Sequence, residues 1–293
     1  MSDVFSRFAP FIQDYIYRCK WEELREIQVL AAKAIFDTDE NLLLSSGTAS
    51  GKTEAAFLPV LTQLWENPSA SVGVLYLSPL KALINDQFER LEGLLEEAAI
   101  PVTKWHGDAS AAAKKRVMKR PQGVIQTTPE SLESMLMHNS SGAYRLFSDL
   151  RFIIIDEMHY FMDNDRGLQL LCLLERLARL IGYHPRRIGL SATLGDCTSA
   201  VQWLNTDSGR DCIVPKCHEK GRSLRLSVRF FPIKEKIPNS DSKVLLQNYY
   251  DYLFESTWNK RCILFSNSKG EVEENIAHLR RIAAERRLPD NYL

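Results

Sequence analysis

The chain has 293 residues, 45% of them hydrophobic and 25% charged, and its 37 lysines and arginines are balanced by 37 aspartates and glutamates. That balance excludes a protein that gathers nucleic acid by overall charge, so any such binding has to use a local surface. Six irregularly spaced cysteines and the lack of an 18-residue apolar run argue against a disulfide scaffold and a helical membrane span. The expectation is a cytoplasmic protein with reduced thiols and no membrane contact.

Residues 4 to 36 predict two amphipathic helices. Phe5, Phe8, Phe11, Ile12, Tyr15 and Ile16 recur at helical spacing, as do Leu24, Ile27, Leu30, Ala31, Ala34 and Ile35. Pro10 suits a first turn. Gln28, on the second helix, carries an amide that both donates and accepts, which suits reading an adenine. Phe11 is the aromatic expected to stack on the same base, with Phe8 and Tyr15 as alternatives. A core helix with an outward glutamine fits the same pattern.

The next stretch organises the chain. A buried strand, Asn41-Leu42-Leu43-Leu44, runs into Ser45-Ser46-Gly47-Thr48-Ala49-Ser50-Gly51-Lys52-Thr53 and then into a helix. Strand, small-residue loop ending Gly-Lys-Thr, then helix is the order of a phosphate-binding loop. Small residues let backbone N–H groups close around phosphate oxygens, and the helix N-terminus adds partial positive charge. Ala49, Ser50, Gly51, Lys52 and Thr53 are the candidate contacts, Lys52 to the outer phosphates and Thr53 to a Mg²⁺ ion. The loop departs from the strict pattern, with Ser46 at its first glycine position and Ala49 where glycine is commoner.

Further strands are expected at Val72 to Leu77, Val102 to Trp105, Gly123 to Gln126, Phe152 to Ile155 and Arg187 to Leu190, alternating with helices. This order predicts a parallel sheet covered on both faces, with ligands beyond the carboxyl ends of the strands. At those ends stand Ser78-Pro79-Leu80-Lys81, Thr128-Pro129-Glu130 and Ser191-Ala192-Thr193. The cations Lys114, Lys115, Arg116, Lys119 and Arg120 suit either phosphate contact or a solvated helix face. The strand Phe152 to Ile155 ends in Asp156-Glu157-Met158-His159. Two adjacent acids at the tip of a buried strand are costly without a nearby cation. Mg²⁺ on nucleotide phosphates would supply one, with Asp156 ordering its shell and Glu157 polarising the attacking water as general base. Cys212 and Cys217, with His218, lack a second ligand pair at zinc spacing, so no zinc is expected there.

Taken together, Gln28, the loop ending at Thr53, Ser78 to Leu83, Thr128 to Glu130, Asp156 to His159 and Ser191 to Thr193 resemble the Q motif and motifs I, Ia, Ib, II and III of a superfamily 2 DExH/DEAD-box helicase. The Ser-Pro-Leu-Lys-Ala-Leu form and the stretch Asp165-Arg166-Gly167 to Leu177 look most similar to large helicase-related (Lhr-like) helicases. The resemblance implies two RecA-like domains with ATP, Mg²⁺ and single-stranded or partly duplex DNA or RNA bound across them. It also implies nucleic-acid contacts from Ser78, Pro79, Leu80, Lys81, Thr128, Pro129 and Glu130, and coupling to domain movement by His159, Ser191 and Thr193. Residues 1–211 are expected to form the first RecA-like domain and 212–293 the truncated start of a second. Strands are expected at Leu224 to Phe231 and around Cys262 to Ser268, the latter resembling motif IV, and helices at Val244 to Trp258 and Ile276 to Ala284. Motifs V and VI do not follow, which suggests a piece of a longer protein, or else a half motor that depends on a partner, with very low ATPase activity alone. The apolar surface of 212–293 is expected to be covered by self-association, by strand exchange between copies or by docking on the first domain. A non-helicase phosphate-loop ATPase and a nucleotide-gated binding module remain as other classes.

Overall fold

Strands that are apolar on both sides can only sit in the middle of a sheet covered twice. The computed structural model describes residues 3–47, 50–84, 94–95, 98–192, 194–217, 226–231 and 241–288, with backbone alone for 241–247. The chain divides into two compact units, Met1–Lys220 and Gly221–Leu293.

In the first unit the strands are β1 (Asn41–Ser45), β2 (Val72–Leu77), β3 (Val102–Trp105), β4 (Gly123–Thr127), β5 (Phe152–Ile155), β6 (Arg186–Ser191) and β7 (Cys212–Ile213). They pair in parallel in the order β3-β4-β2-β5-β6-β1-β7. Alternate residues feed two cores. Leu42, Leu44, Val74, Tyr76, Ile154 and Ile188 face α1 (Pro10–Arg18), α2 (Glu26–Asp37) and α3 (Lys52–Glu66). Leu43, Leu75, Leu77, Ile153 and Ile155 face the other layer. That layer contains α4 (Ala111–Lys119), α5 (Pro129–His138), α6 (Ser140–Phe147), α7 (Asp165–Ile181) and α8 (Thr198–Asn205). The expected α/β sheet with helices on both faces is present, and Pro10 stands at the first position of α1, where its missing N–H costs nothing.

Two arginines open β6 and are both buried. Arg186 donates to the carbonyls of Ala34, Ile35 and Thr38 at the end of α2, and Arg187 to those of Leu204 and Thr206 at the end of α8. Each fork thus satisfies helix C-terminal carbonyls on its own side of the sheet. Burial lowers the Arg186 pKa to about 10.

The break expected at residue 212 comes too early. Cys212 and Ile213 pair with Asn41 and Leu42 as the edge strand β7. Two residues are too short to show a period, and only the open edge of β1 makes them a strand.

In the second unit, α9 (Asp241–Thr257) and α10 (Lys269–Glu285) pack through Tyr250, Phe254, Leu279, Ile282 and Ala283. The Tyr250 ring stacks on His278 at 3.9 Å. The two strands expected here are not found among the described residues: 226–231 and 261–266 carry no regular structure. Leu226, Val228, Phe230, Ile263 and Phe265 are 80 to 86% exposed. An alternating apolar segment becomes a strand only beside a partner.

Candidate functional site

All the loops singled out by sequence leave the carboxyl ends of the parallel strands, where such sheets bind ligands. The ends of β1, β5 and β6 carry the phosphate loop, the acid loop and Ser191. Those of β2, β3 and β4 carry the turns at 78–81, 106–108 and 128–130.

The phosphate loop is closed on its own lysine. Lys52 Nζ donates to Ser46 O at 2.7 Å and Gly47 O at 2.9 Å, and the Ser46 and Ser50 hydroxyls meet at 2.6 Å. Gly51 caps α3 at φ +85°, in the left-handed region. A Cβ there would also lie 2.9 Å from Gln28 Nε2. Glycine therefore permits both the turn and the approach of Gln28. Gln28 itself is buried, its Oε1 accepting from Arg25 N at 2.9 Å. Thr53 is half-buried in the first turn of α3. Thr48 and Ala49 lie outside the described residues, so the Ala49 contact is not placed.

Phe11 is not brought to this site. Its ring lies 6.4 Å from that of Trp65, near the far end of α3. Thirteen residues of helix separate Trp65 from Lys52, about 20 Å at 1.5 Å per residue. Phe11 is a core residue, and the helical spacing that made it conspicuous is the spacing that buries it.

Asp156 is buried at the tip of β5. It accepts hydrogen bonds from the Tyr76 hydroxyl and from Glu157 N. Burial raises its pKa, opposed by the Tyr76 bond and reinforced by the Glu157 charge. Glu157 occupies the left-handed region at φ 47°, which is uncommon for a residue with a side chain. His159 Nδ1 stands 3.4 Å from Glu157 Oε2 and 3.4 Å from Ser191 Oγ, joining the acid loop to the end of β6. Ser45 Oγ donates to Ala192 O and accepts from Leu194 N, so the start of the phosphate loop is tied to the same segment. Thr193 lies outside the described residues.

Across the edge, Ser78 is buried with its N–H on Thr127 O, and Leu80 and Lys81 are exposed. Lys81 Nζ pairs with Asp108 at 2.9 Å. Thr128 caps α5 by accepting from Ser131 N, with Pro129 at the first helical position. Glu130 accepts from Arg166 Nε at 2.7 Å. Partial burial pushes the Glu130 pKa up, but bonds from Arg166, its own backbone and Thr128 leave it lowered. These turns frame a groove of 560 Å³ that Trp105, His106 and Lys114 also line.

Several residues here were not singled out for these roles by sequence. Tyr76 did leave a signal, being the one polar-tipped side chain in the run Val72–Leu77. His106 is 4% exposed with neither ring nitrogen hydrogen-bonded, and burial lowers its pKa. Arg166 acquires its position only through contacts remote in sequence. Among the described residues there is no cluster of three potential metal-ligating side chains and no helix long and apolar enough to cross a membrane.

The profile of the DEAD/DEAH box helicase family matches residues 25–200. The chain is 31% identical to the ATP-dependent helicase Lhr-Core of Methanocaldococcus jannaschii over 92% of its own length and 33% of that protein. It is 30% identical to the ATP-dependent DNA helicase Hel308 of Methanococcus vannielii over 85% of its length and 32% of that protein. Among solved structures, the helicase Lhr of Mycobacterium smegmatis, bound to ssDNA and AMP-PNP, superposes with a TM-score of 0.75 at 28% identity, covering 97% of this chain and 37% of that one. The chain thus spans about a third of the length of these relatives.

Proposed function

This chain belongs to the DEAD/DEAH box helicase family, and from that premise we propose that it is the ATP-binding part of an Lhr-like, ATP-dependent nucleic-acid helicase or translocase. In this reading the first unit is the ATP-binding RecA-like domain, and the residues after 220 begin the second. The observation that carries it is the closed phosphate loop: Lys52 rests on the carbonyls of Ser46 and Gly47, neutral acceptors that an anionic phosphate oxygen would displace. In this reading Gln28, whose amide lies beside Gly51, orients the nucleotide.

A divalent cation fits the donors present. Asp156 is a carboxylate whose charge is disfavoured by burial, and Thr53 offers a hydroxyl at the start of α3. We assign Mg²⁺ to these two residues, where it would neutralise phosphate charge. Glu157 orients and polarises the attacking water, and His159, bonded toward both Glu157 and Ser191, passes the state of the acid loop to β6. The groove beside Lys81 and Lys114 takes the sugar-phosphate backbone of single-stranded DNA or RNA, with the turns at 79–81 and 128–131 as its walls. The Glu130 carboxylate serves as the anchor of Arg166.

The irregular spacing of the six cysteines supports a cytoplasmic setting with reduced thiols. The exposed apolar segments at 226–230 and 263–265 support self-association of this chain.

The test is nucleotide calorimetry of Lys52→Ala. Loss of charge-assisted bonds worth about 1.5–3 kcal/mol should weaken binding roughly 10- to 100-fold. Equal affinity for the variant and the parent would overturn the reading.

A further inference from the structure

Arg166 sits in the first turn of α7, held against the end of the acid loop. Asn164 caps that helix by accepting from Gly167 N at 3.0 Å, and its amide donates to Tyr160 O and Met162 O. Gly167 lies so close to Phe161 that a Cβ would fall 1.5 Å from the Phe161 carbonyl oxygen. The chain from Tyr160 to Gly167 is thus a tightly braced piece, and Arg166 moves with it.

From this base the guanidinium reaches across the strand ends. Nε donates to Glu130 Oε1 at 2.7 Å, in the turn after β4. Nη2 donates to Pro79 O at 2.6 Å, in the turn after β2. Its carbon lies 5.5 Å from the Phe161 ring centroid. One planar fork therefore joins three loops: the acid loop and both turns assigned to nucleic acid. A lysine, with a single point charge, cannot reproduce that double reach.

We propose that Arg166 is a positioning residue that couples the nucleotide site to the nucleic-acid groove. It is a second connection, separate from the His159–Ser191 contact at β6. Displacement of the acid loop on nucleotide binding is passed through the Phe161–Gly167 contact to Arg166, which re-sets the spacing of the Pro79 and Glu130 turns. Arg166 also masks the Glu130 carboxylate, which would otherwise face the incoming phosphates. Exposed ion pairs contribute little to stability, but a contact that exists in one loop arrangement and not another can still bias a two-state equilibrium. Couplings between sites are commonly 5- to 150-fold.

The inference rests on the proposed nucleotide and nucleic-acid sites, and its test separates the two. On the full-length protein, fluorescence anisotropy of a labelled oligo-dT or oligo-rU with and without AMP-PNP and magnesium yields two dissociation constants, whose ratio is the coupling factor. Arg166→Ala and Arg166→Lys should both bring the wild-type factor at least fivefold closer to 1. An unchanged factor in Arg166→Ala overturns the proposal. So does full rescue by Arg166→Lys, which would reduce the role to charge, or a wild-type factor of 1. If wild type binds neither oligo-dT nor oligo-rU, the assignment of the groove itself falls, and the proposal with it. Should Arg166→Ala fail to fold, Arg166→Lys and Glu130→Gln carry the same test, and wild-type coupling in both overturns the proposal.

Discussion

Asp156 shows at the residue scale how a binding site is prepared at a cost to stability. Its carboxylate is buried beside Glu157, and its pKa is raised. A folded-state pKa above the unfolded value means that the folded protein holds the proton more tightly. Stability is then fullest below the ordinary carboxylate value and falls as pH rises through the folded pKa. Asp156→Asn removes that penalty, because an amide can donate to the Tyr76 oxygen and still accept from Glu157 N. In thermal melts at pH 7 without nucleotide, the variant should unfold roughly 2–4 °C higher, the equivalent of about 1 kcal/mol for a unit of this size. It should also lose most of the stabilisation that Mg²⁺-nucleotide confers on wild type. A lower melting temperature for nucleotide-free Asp156→Asn would contradict this account of the acid.

Among elements, the start of α7 is the most constrained junction. Alanine in place of glycine within a helix ordinarily gains up to about 1 kcal/mol. At Gly167 the sign should reverse, because a Cβ meets backbone, the Phe161 carbonyl oxygen at 1.5 Å. Relief requires α7 to move away from the acid loop, so Gly167→Ala should destabilise by about 1–3 kcal/mol, as overpacking does. A denaturant midpoint that falls with an unchanged m-value is the expected reading. A midpoint at or above that of wild type would show that the Phe161–Gly167 brace is slack, which would also weaken the case for coupling through Arg166.

For the whole molecule, the two units differ in how completely they satisfy their own apolar surface. In the first, the strands of a seven-stranded sheet are covered by helices on both faces. In the second, Ile263 and Phe265 are 81% and 86% exposed, and Val228 and Phe230 are both 86% exposed. Extended apolar segments without strand partners are prone to pair with other chains. Light scattering should therefore show mass rising with protein concentration. Replacing Val228, Phe230, Ile263 and Phe265 together with serine should return the protein to a monomer while leaving nucleotide affinity within about twofold, since none of the four belongs to the first unit. A monomer at all concentrations for the parent chain would remove self-association from the reading.

What the sequence determined by itself was what depends on local order. Apolar runs punctuated by small residues place six of the seven strands, and the positions of Lys52, Asp156 and Ser191 along the chain put all three at or beyond strand ends. Burial and chain direction are local properties, so they survive in one dimension. The proposed helicase function was legible for the same reason, and the family match over residues 25–200 favours it over the other phosphate-loop classes. Tertiary structure decided whatever depends on a partner remote in sequence. Phe11 had the right residue type but was drawn to Trp65, because an aromatic on an amphipathic face gains most by burial. Cys212 and Ile213 became a strand only because β1 offered an edge, while 226–231 and 261–266 stayed irregular for want of one. Arg166 appeared in the sequence as one cation after the acid loop. Its fork onto Glu130 and Pro79, 36 and 87 residues away, exists only because a parallel sheet brings the carboxyl ends of β2, β4 and β5 to one edge.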